Sequence, residues 1–467
     1  INEFAARFPS AISAIVAVGA LFYGLWRRVS ARLAFFGCLV LLTSPLFIGF
    51  ARAAVTDMPL TAAVTVSLVA LYLAVTGKER ERIAFWLLAW AAAGVAVLAK
   101  GLVGFVLFAM IGVVASTLAR EWGRFRWRDL LLGVAVFVAV CSTWYGPVIA
   151  RHGWPFIQDF FINHHFKRYL TNEFHHPEPL YFYPFIVLAG LAPWTFYLIP
   201  AAADIRTAFR SAAAGTRYLV ILAWTWLLTP LLFFSLSESK LPSYILPAFP
   251  GAAILIGLQL DKVWTSATLG RSLRLANVLT SVLTIGLAAV IPVYVHKESI
   301  GAIGADRLLL WMPLVVAGLG ALSLCSRKLT RSIACTALLV PVMLTCAFVL
   351  VLPPIRQKLG IKDLSIAAAK ALRPGEKIGL YLDKEYAPVF YAQGRIMCGG
   401  KVSDVLDART TGDLVDALSS VPGLVVITRT EWVPSLARDS RLNIEPIAVN
   451  SDEAAFRVTI RSRPGST

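Results

Sequence analysis

The sequence predicts a mainly α protein: a polytopic bundle of about twelve membrane-spanning helices over residues 1–353, then a soluble α/β domain over 354–467. Three observations lead there. Mean hydropathy is +0.70, with 58% hydrophobic and 15% charged residues, outside the range of soluble globular chains. Apolar stretches of about 18 to 22 residues recur along the first three quarters of the chain. From about Pro354 the pattern changes to short helical and strand-like segments.

The apolar stretches fall near residues 10–27, 33–51, 57–76, 83–99, 101–118, 130–150, 180–201, 218–236, 241–260, 275–295, 308–325 and 333–353. Ahead of the first, INEFAARFPSA places Glu3 and Arg7 at helical spacing and reads as a short interfacial helix. Alternate loops carry clustered basic residues: Arg27, Arg28 and Arg32; Lys78, Arg80 and Arg82; Arg120, Arg124, Arg126 and Arg128; Arg206, Arg210 and Arg217; Lys262, Arg271 and Arg274; Arg327, Lys328 and Arg331. This is the positive-inside pattern, and it assigns those loops to the cytoplasm. It also accounts for the net charge of +17, so no nucleic-acid partner is needed.

The remaining loops, the first residues and the tail then lie on the outer side. An outward start at Ile1 without a signal peptide reads as a fragment that lacks a leading transmembrane helix and the loop behind it. Cys38, Cys141, Cys325, Cys335 and Cys346 lie in or beside apolar stretches and Cys398 alone lies in the tail, so they are small apolar filler rather than a disulfide framework.

Polar groups gather on the outer side. RAAVTDMP puts Arg52 and Asp57 at the membrane surface, where Arg52 can snorkel and Asp57, two residues before Pro59, can act either as a helix cap or as a functional carboxylate. Lys100 stands in a tight turn, Ala99-Lys100-Gly101, that the glycine permits. The loop from Arg151 to Tyr183 holds His152, His164, His165, His175 and His176 with Lys167 and Arg168; its Trp154, Tyr181 and Tyr183 also suit an interfacial aromatic belt. SLSESKLPSYILPAFP sets Glu238, Lys240 and Tyr244 among Pro242, Pro247 and Pro250. Proline-broken backbone is tolerated where it lines a cavity, and polar groups at such a break point to a site.

Cations clustered at a membrane surface suit an anionic group delivered by a lipid, such as a phosphate or pyrophosphate. A carboxylate among them can serve as base for an attacking hydroxyl or amine while the cations stabilise the leaving phosphate. The chemistry indicated is group transfer from a lipid phosphate, with no nucleotide cofactor motif. In the tail, IKDLSIAAAKAL and Thr411–Ser420 read as helices, and KIGLYL, GLVVITR and a pair within NIEPIAVNSDEAAFRVTI as strands. The tail shows no phosphate loop, metal spacing or triad and reads as a structural or partner-binding cap.

RAAVTDMP, the AKG turn, FFINHHFKRYL, GLAPW and FFSLSESKLPSYILP together resemble the bacterial 4-amino-4-deoxy-L-arabinose transferases and related protein-mannosyltransferase-like enzymes, which are GT-C glycosyltransferases. The resemblance implies an inner-membrane, multi-pass enzyme that moves a sugar from undecaprenyl phosphate to a periplasm-facing acceptor, lipid A or lipopolysaccharide core. The rival acceptor is a secreted protein; a lipid-linked sugar flippase is the alternative outside the enzyme class, against which the absence of an internal repeat weighs. Residue by residue, Asp57 resembles the family's second important acidic residue, Arg168 the arginine at the lipid phosphate, and Tyr244 with Lys240 the phosphate-contacting end of SKLPxY; Arg52 and Lys100 join the donor-binding set. His164 or His165 resembles the loop histidine associated with a divalent metal. The family's first-loop catalytic aspartate and phosphate-binding lysine have no counterpart in these residues, so the chain alone is expected to be inactive.

Overall fold

In the computed structural model the described residues are 2–156, 158, 178–206, 214–265, 271–297, 315–322, 329–346, 361–382, 390–391, 398–399, 404–405, 407–450 and 453–461. They form two units, one comprising residues 1–291 with 311–343, the other 292–310 with 344–467.

Helices are the only regular secondary structure among the described residues of the first unit. Its helices are α1 (Glu3–Arg28), α2 (Ala31–Leu42), α3 (Pro45–Ala51), α4 (Asp57–Thr76), α5 (Glu79–Lys100), α6 (Val103–Ala119), α7 (Trp127–Phe156), α8 (Phe182–Gly190), α9 (Leu198–Ala203), α10 (Ala214–Ser235), α11 (Phe249–Thr265), α12 (Arg271–Lys297) and α13 (Leu329–Cys346). Among the described residues six helices are long and apolar enough to cross a membrane, or eight if each of two bent pairs counts as one span, and α6 is a shorter apolar helix. The chain is therefore a multi-pass membrane protein.

Three expectations are corrected. The opening residues are not a separate interfacial helix: α1 runs unbroken from Glu3 to Arg28, started by Asn2, whose side chain accepts the Ala5 N–H at 2.8 Å. The stretch 33–51 is not one straight span but α2 and α3, bent by 71° at Thr43-Ser44, where Pro45 begins the new helix without a backbone N–H to lose. The stretch 180–201 is likewise broken, by 107°, between Gly190 and Thr195. Side chains satisfy these breaks, as a bilayer requires. Ser44 Oγ donates to the Val40 carbonyl at 2.7 Å, and the Trp194 indole N–H donates to Thr43 Oγ1 at 2.8 Å, joining one break to the other.

Helix α4 is the axis of the unit. It packs against α1, α5, α6 and α10, and nearly every one of its residues is buried. Such a helix must be apolar all round, which is what DMPLTAAVTVSLVALYLAVT supplies. Its hydroxyls turn inward harmlessly: Thr61 and Thr65 donate to carbonyls one turn back at 2.7 Å, and Ser67 donates to the Ala89 carbonyl of α5 at 2.8 Å. Helix α7, by contrast, is largely exposed, so its apolar surface faces lipid.

The second unit has α14 (Ile361–Ala371), α15 (Thr411–Leu418), α16 (Val433–Ala437) and strands β1 (Lys377–Tyr381), β2 (Cys398–Gly399), β3 (Asp404–Val405), β4 (Asp407–Ala408), β5 (Leu424–Arg429), β6 (Leu442–Val449) and β7 (Glu453–Ile460). A five-stranded sheet runs β4-β1-β5-β7-β6, parallel across its first three strands and antiparallel across the rest. The central strands β1 and β5 are buried on both faces, hence their unbroken apolar runs. Arg457 of β7 is buried and fully engaged: it meets Glu376 at 3.1 Å and Glu445 at 3.2 Å and donates to the Ala371 carbonyl at 2.6 Å.

Candidate functional site

Three elements of the first unit bring their polar ends together. Helix α4 begins at Asp57, α5 ends at Lys100, and a 3-10 helix, Pro242–Ala248, carries Tyr244 between α10 and α11. The loop ahead of α4 is fixed from α1, where Ser10 Oγ donates to the Val55 carbonyl at 3.2 Å. The end of α5 is fixed by Gly101, whose φ of 73° lies in the left-handed region that favours glycine and whose N–H returns to the Val97 carbonyl at 2.7 Å. Three residues on, Gly104 lets the next helix close down: a Cβ there would stand 2.5 Å from the Ala96 backbone carbon.

The ammonium of Lys100 forms an ion pair and hydrogen bond with the Asp57 carboxylate. Their side chains are only 27% and 10% exposed, so salt screens this pair less than it would a surface pair. Lys100 Nζ also lies 4.8 Å from the centroid of the Tyr244 ring, a cation–π contact. Tyr244 is itself buried and rests against Phe234 of α10, ring centroids 5.2 Å apart. Asp57 is not the residue that caps α4, because Thr56 holds that position and makes no side-chain cap bond. The cap reading of Asp57 is therefore set aside, and its carboxylate is paired with Lys100 instead.

Lys240 stands just ahead of the 3-10 helix, buried, and donates to the Glu178 carbonyl at 2.8 Å. That bond ties the broken segment to the residues that lead into α8. A second tie runs beside it, from the Tyr183 hydroxyl to the Leu241 carbonyl at 3.3 Å. Tyr183 is fully buried, so it is no interfacial anchor, whereas Trp154 and Tyr181 are exposed as an aromatic belt requires. Arg52 ends α3 and is exposed.

The structure therefore brings together Asp57, Lys100 and Tyr244 and seats Lys240 on the same broken segment. Arg168, His164 and His165 lie outside the described residues. Among the described residues no three His, Cys, Asp or Glu side chains are grouped to hold a metal, and Asp57 is already neutralised by a lysine. What sequence reading missed is the supporting cast. Ser10 and Tyr183 act through partners 45 and 58 residues away, which no local spacing signals, and Gly104 and Phe234 through side-by-side packing of neighbouring elements.

Residues 1–145 match the family model for dolichyl-phosphate-mannose-protein mannosyltransferase. Over 313 residues, 64% of this chain and 52% of the relative, the sequence is 32% identical to undecaprenyl phosphate-alpha-4-amino-4-deoxy-L-arabinose arabinosyl transferase 2 of Pseudomonas fluorescens. Over 331 residues, 66% of this chain and 57% of the relative, it is 31% identical to the corresponding transferase of Erwinia tasmaniensis. The chain is similar to these transferases over about two thirds of its own length. It spans about half the length of the curated relatives it matches. The crystal structure of ArnT from Cupriavidus metallidurans bound to undecaprenyl phosphate superimposes with a TM-score of 0.75 at 21% identity, covering 100% of this chain and 86% of that one. The same protein in the apo state gives 0.72, covering 97% and 83%. The family resemblance drawn from RAAVTDMP, the AKG turn and the SKLPSY segment is borne out, and the fold is shared with ArnT over the whole chain.

Proposed function

We propose that this chain belongs to a glycosyltransferase that moves a sugar, aminoarabinose or a close analogue, from a polyprenyl-phosphate donor to a lipid A acceptor at the outer face of the inner membrane. The observation that carries the reading is the Asp57–Lys100–Tyr244 cluster beside a proline-broken segment, in a chain related to arabinosyl transferases.

The chemistry follows from the geometry. A lysine ammonium has three N–H donors. At Lys100 one is given to Asp57, and the other two suit a phosphate. The Asp57 carboxylate orients this ammonium beside low-dielectric surroundings, where a cation stabilises a departing phosphate far better than in water. Lys240, with one bond to Glu178, adds a second cation, and the family resemblance assigns Arg168 the same role. The transfer also needs a general base to accept the acceptor's proton.

Twelve spans, an outward-facing C-terminal domain from about residue 354, and basic loops in the cytoplasm are parts of the same proposal, supported by the alternation of arginine-rich loops. A divalent ion at His164 or His165 is a separable part, tested by chelation. The match of residues 1–145 to a protein-mannosyltransferase model supports a second acceptor class, a secreted protein.

The deciding experiment is a transfer assay in proteoliposomes with the full-length protein, a mass-tagged polyprenyl-phosphate aminoarabinose and lipid A. Sugar on lipid A, lost in Asp57→Asn, is the expected result. Transfer to a protein acceptor alone would move the proposal to the second class, and transfer undiminished by Asp57→Asn would remove the cluster from the site.

A further inference from the structure

The corner formed by α5, α6 and α7 carries a second feature, which runs along these helices from Phe105 to the connection before α7. A cavity of about 490 Å³ lies there, walled by Trp86 and Trp90 of α5, Phe105 and Phe108 of α6, and Trp122 and Arg126 of the connection to α7. This is a volume typical of small-molecule sites, with an almost wholly apolar wall. Two further wall residues, Val113 and Leu130, are 50% and 47% exposed, so the cavity opens sideways onto the face that a bilayer covers. Trp122 and Trp127 beside the opening are also exposed, as tryptophans at headgroup level are.

The charge at the mouth is one-sided. Arg120, Arg124, Arg126 and Arg128 cluster here. The nearby acids are already committed: Asp129 is buried against Arg82, and Glu121 pairs with Arg124 and Arg217. Arg126 itself meets Glu79 at 3.0 Å, but both side chains are about two-thirds exposed. Such a surface pair contributes little and is readily exchanged for another anion.

We propose that this cavity takes an acyl chain of an anionic phospholipid from the leaflet on the arginine-rich side, with the headgroup phosphate at Arg126. The headgroup position is distinct from the Asp57–Lys100 cluster, because Arg126 meets Glu79 at the start of α5 whereas Lys100 ends that helix, about 30 Å of helix away. Its lateral opening selects a membrane lipid over a soluble ligand, and its arginines select an anionic headgroup over a zwitterionic one.

The test is native mass spectrometry of the purified protein after equilibration with equal amounts of phosphatidylglycerol and phosphatidylcholine. One arginine near the surface is worth a preference of about fivefold. Retained phosphatidylglycerol is therefore expected to exceed phosphatidylcholine by at least that factor, and Arg126→Gln to reduce the ratio about fivefold. Ala109→Phe, which fills the cavity wall, is expected to lower retention of both lipids. Equal retention of the two lipids by the unmodified protein, or retention unchanged in Ala109→Phe of unaltered melting temperature, overturns the proposal. Arg126 is exposed, so Arg126→Gln tests the headgroup contact without disturbing the packing.

Discussion

The ammonium of Lys100 is held between the carboxylate of Asp57 and the ring face of Tyr244, three groups drawn from the start of one helix, the end of the next, and a 3-10 turn well over a hundred residues later. Removing either member of the ion pair leaves the other sheltered and uncompensated. Asp57→Asn and Lys100→Met are each expected to lower transfer by about a hundredfold, the scale of one preorganised electrostatic contact. The double variant is expected to be little worse than either single one, because the residues act as a unit. Additive losses in the kinetics would show that they act separately.

Tyr244 offers a ring to Lys100 and a hydroxyl to its surroundings, and substitution separates the two. Tyr244→Phe keeps the cation–π contact and tests the hydroxyl alone. Tyr244→Leu removes both and is expected to cost a further 0.5–2 kcal/mol of transition-state stabilisation, about two- to thirtyfold in kcat/KM. Equal activity of the two variants would show that the ring makes no contribution.

The bond from Trp194 to Thr43 joins two helix breaks inside the bundle. Thr43→Val removes the acceptor and leaves a buried indole N–H without a partner, at a cost of about 1–3 kcal/mol. Thermal denaturation in detergent should show a lowered melting temperature for Thr43→Val and a smaller loss for Thr43→Ser, which keeps a hydroxyl acceptor; equal losses would show that the orphaned donor is not the cause.

Gly104 is the place where α6 comes down on α5. A methyl group there would have to displace backbone rather than the tip of a flexible side chain. Gly104→Ala is expected to destabilise the fold by about 1–3 kcal/mol, the scale of an overpacked core, and to lower transfer by shifting Lys100. An unchanged melting temperature would show that the two helices can part without consequence.

In the C-terminal unit α15 starts with a capping box in which Thr410 Oγ1 accepts the Asp413 N–H at 3.2 Å and Asp413 accepts the Thr410 N–H at 2.8 Å. The Thr410 backbone N–H, and next that of Arg409, hold the Asp413 carboxyl below the ordinary carboxylate range. A carboxylate whose folded pKa is depressed contributes its stability above the unfolded value, about 3.9, and loses it as pH falls through the folded one. The melting temperature of the protein is thus expected to fall with acidification below about pH 4, and less steeply in Asp413→Asn. Parallel pH profiles for the two proteins would count against the capping role.

Much of this was legible in the sequence, because the period of apolar residues and the placing of charges report directly on helices and their ends. The AKG turn showed where α5 stops, since lysine ends a span and glycine admits a positive φ. Strands β1 and β5 stood out as apolar runs because both faces are covered. The bends were not legible. Thr43-Ser44 and Trp194 lie within apolar stretches of ordinary length, and their meaning depends on a partner about 150 residues away. The same holds for Asp57, whose neighbours in sequence suit a cap and whose partner in space is Lys100.

Helix α4 is apolar on every side yet ends up sheathed in protein. In a chain that enters the membrane from its N-terminus, this helix is made before α5 and α10, the partners that later cover it. Its greasy circumference lets it wait among lipid tails until they arrive. Its first residue has no such ease: the charge of Asp57 must stay at the water boundary until Lys100, 43 residues behind it, is delivered to neutralise it. The order of synthesis therefore forms the ion pair once α5 is complete, and the Tyr244 ring reaches it only after α10 has been made.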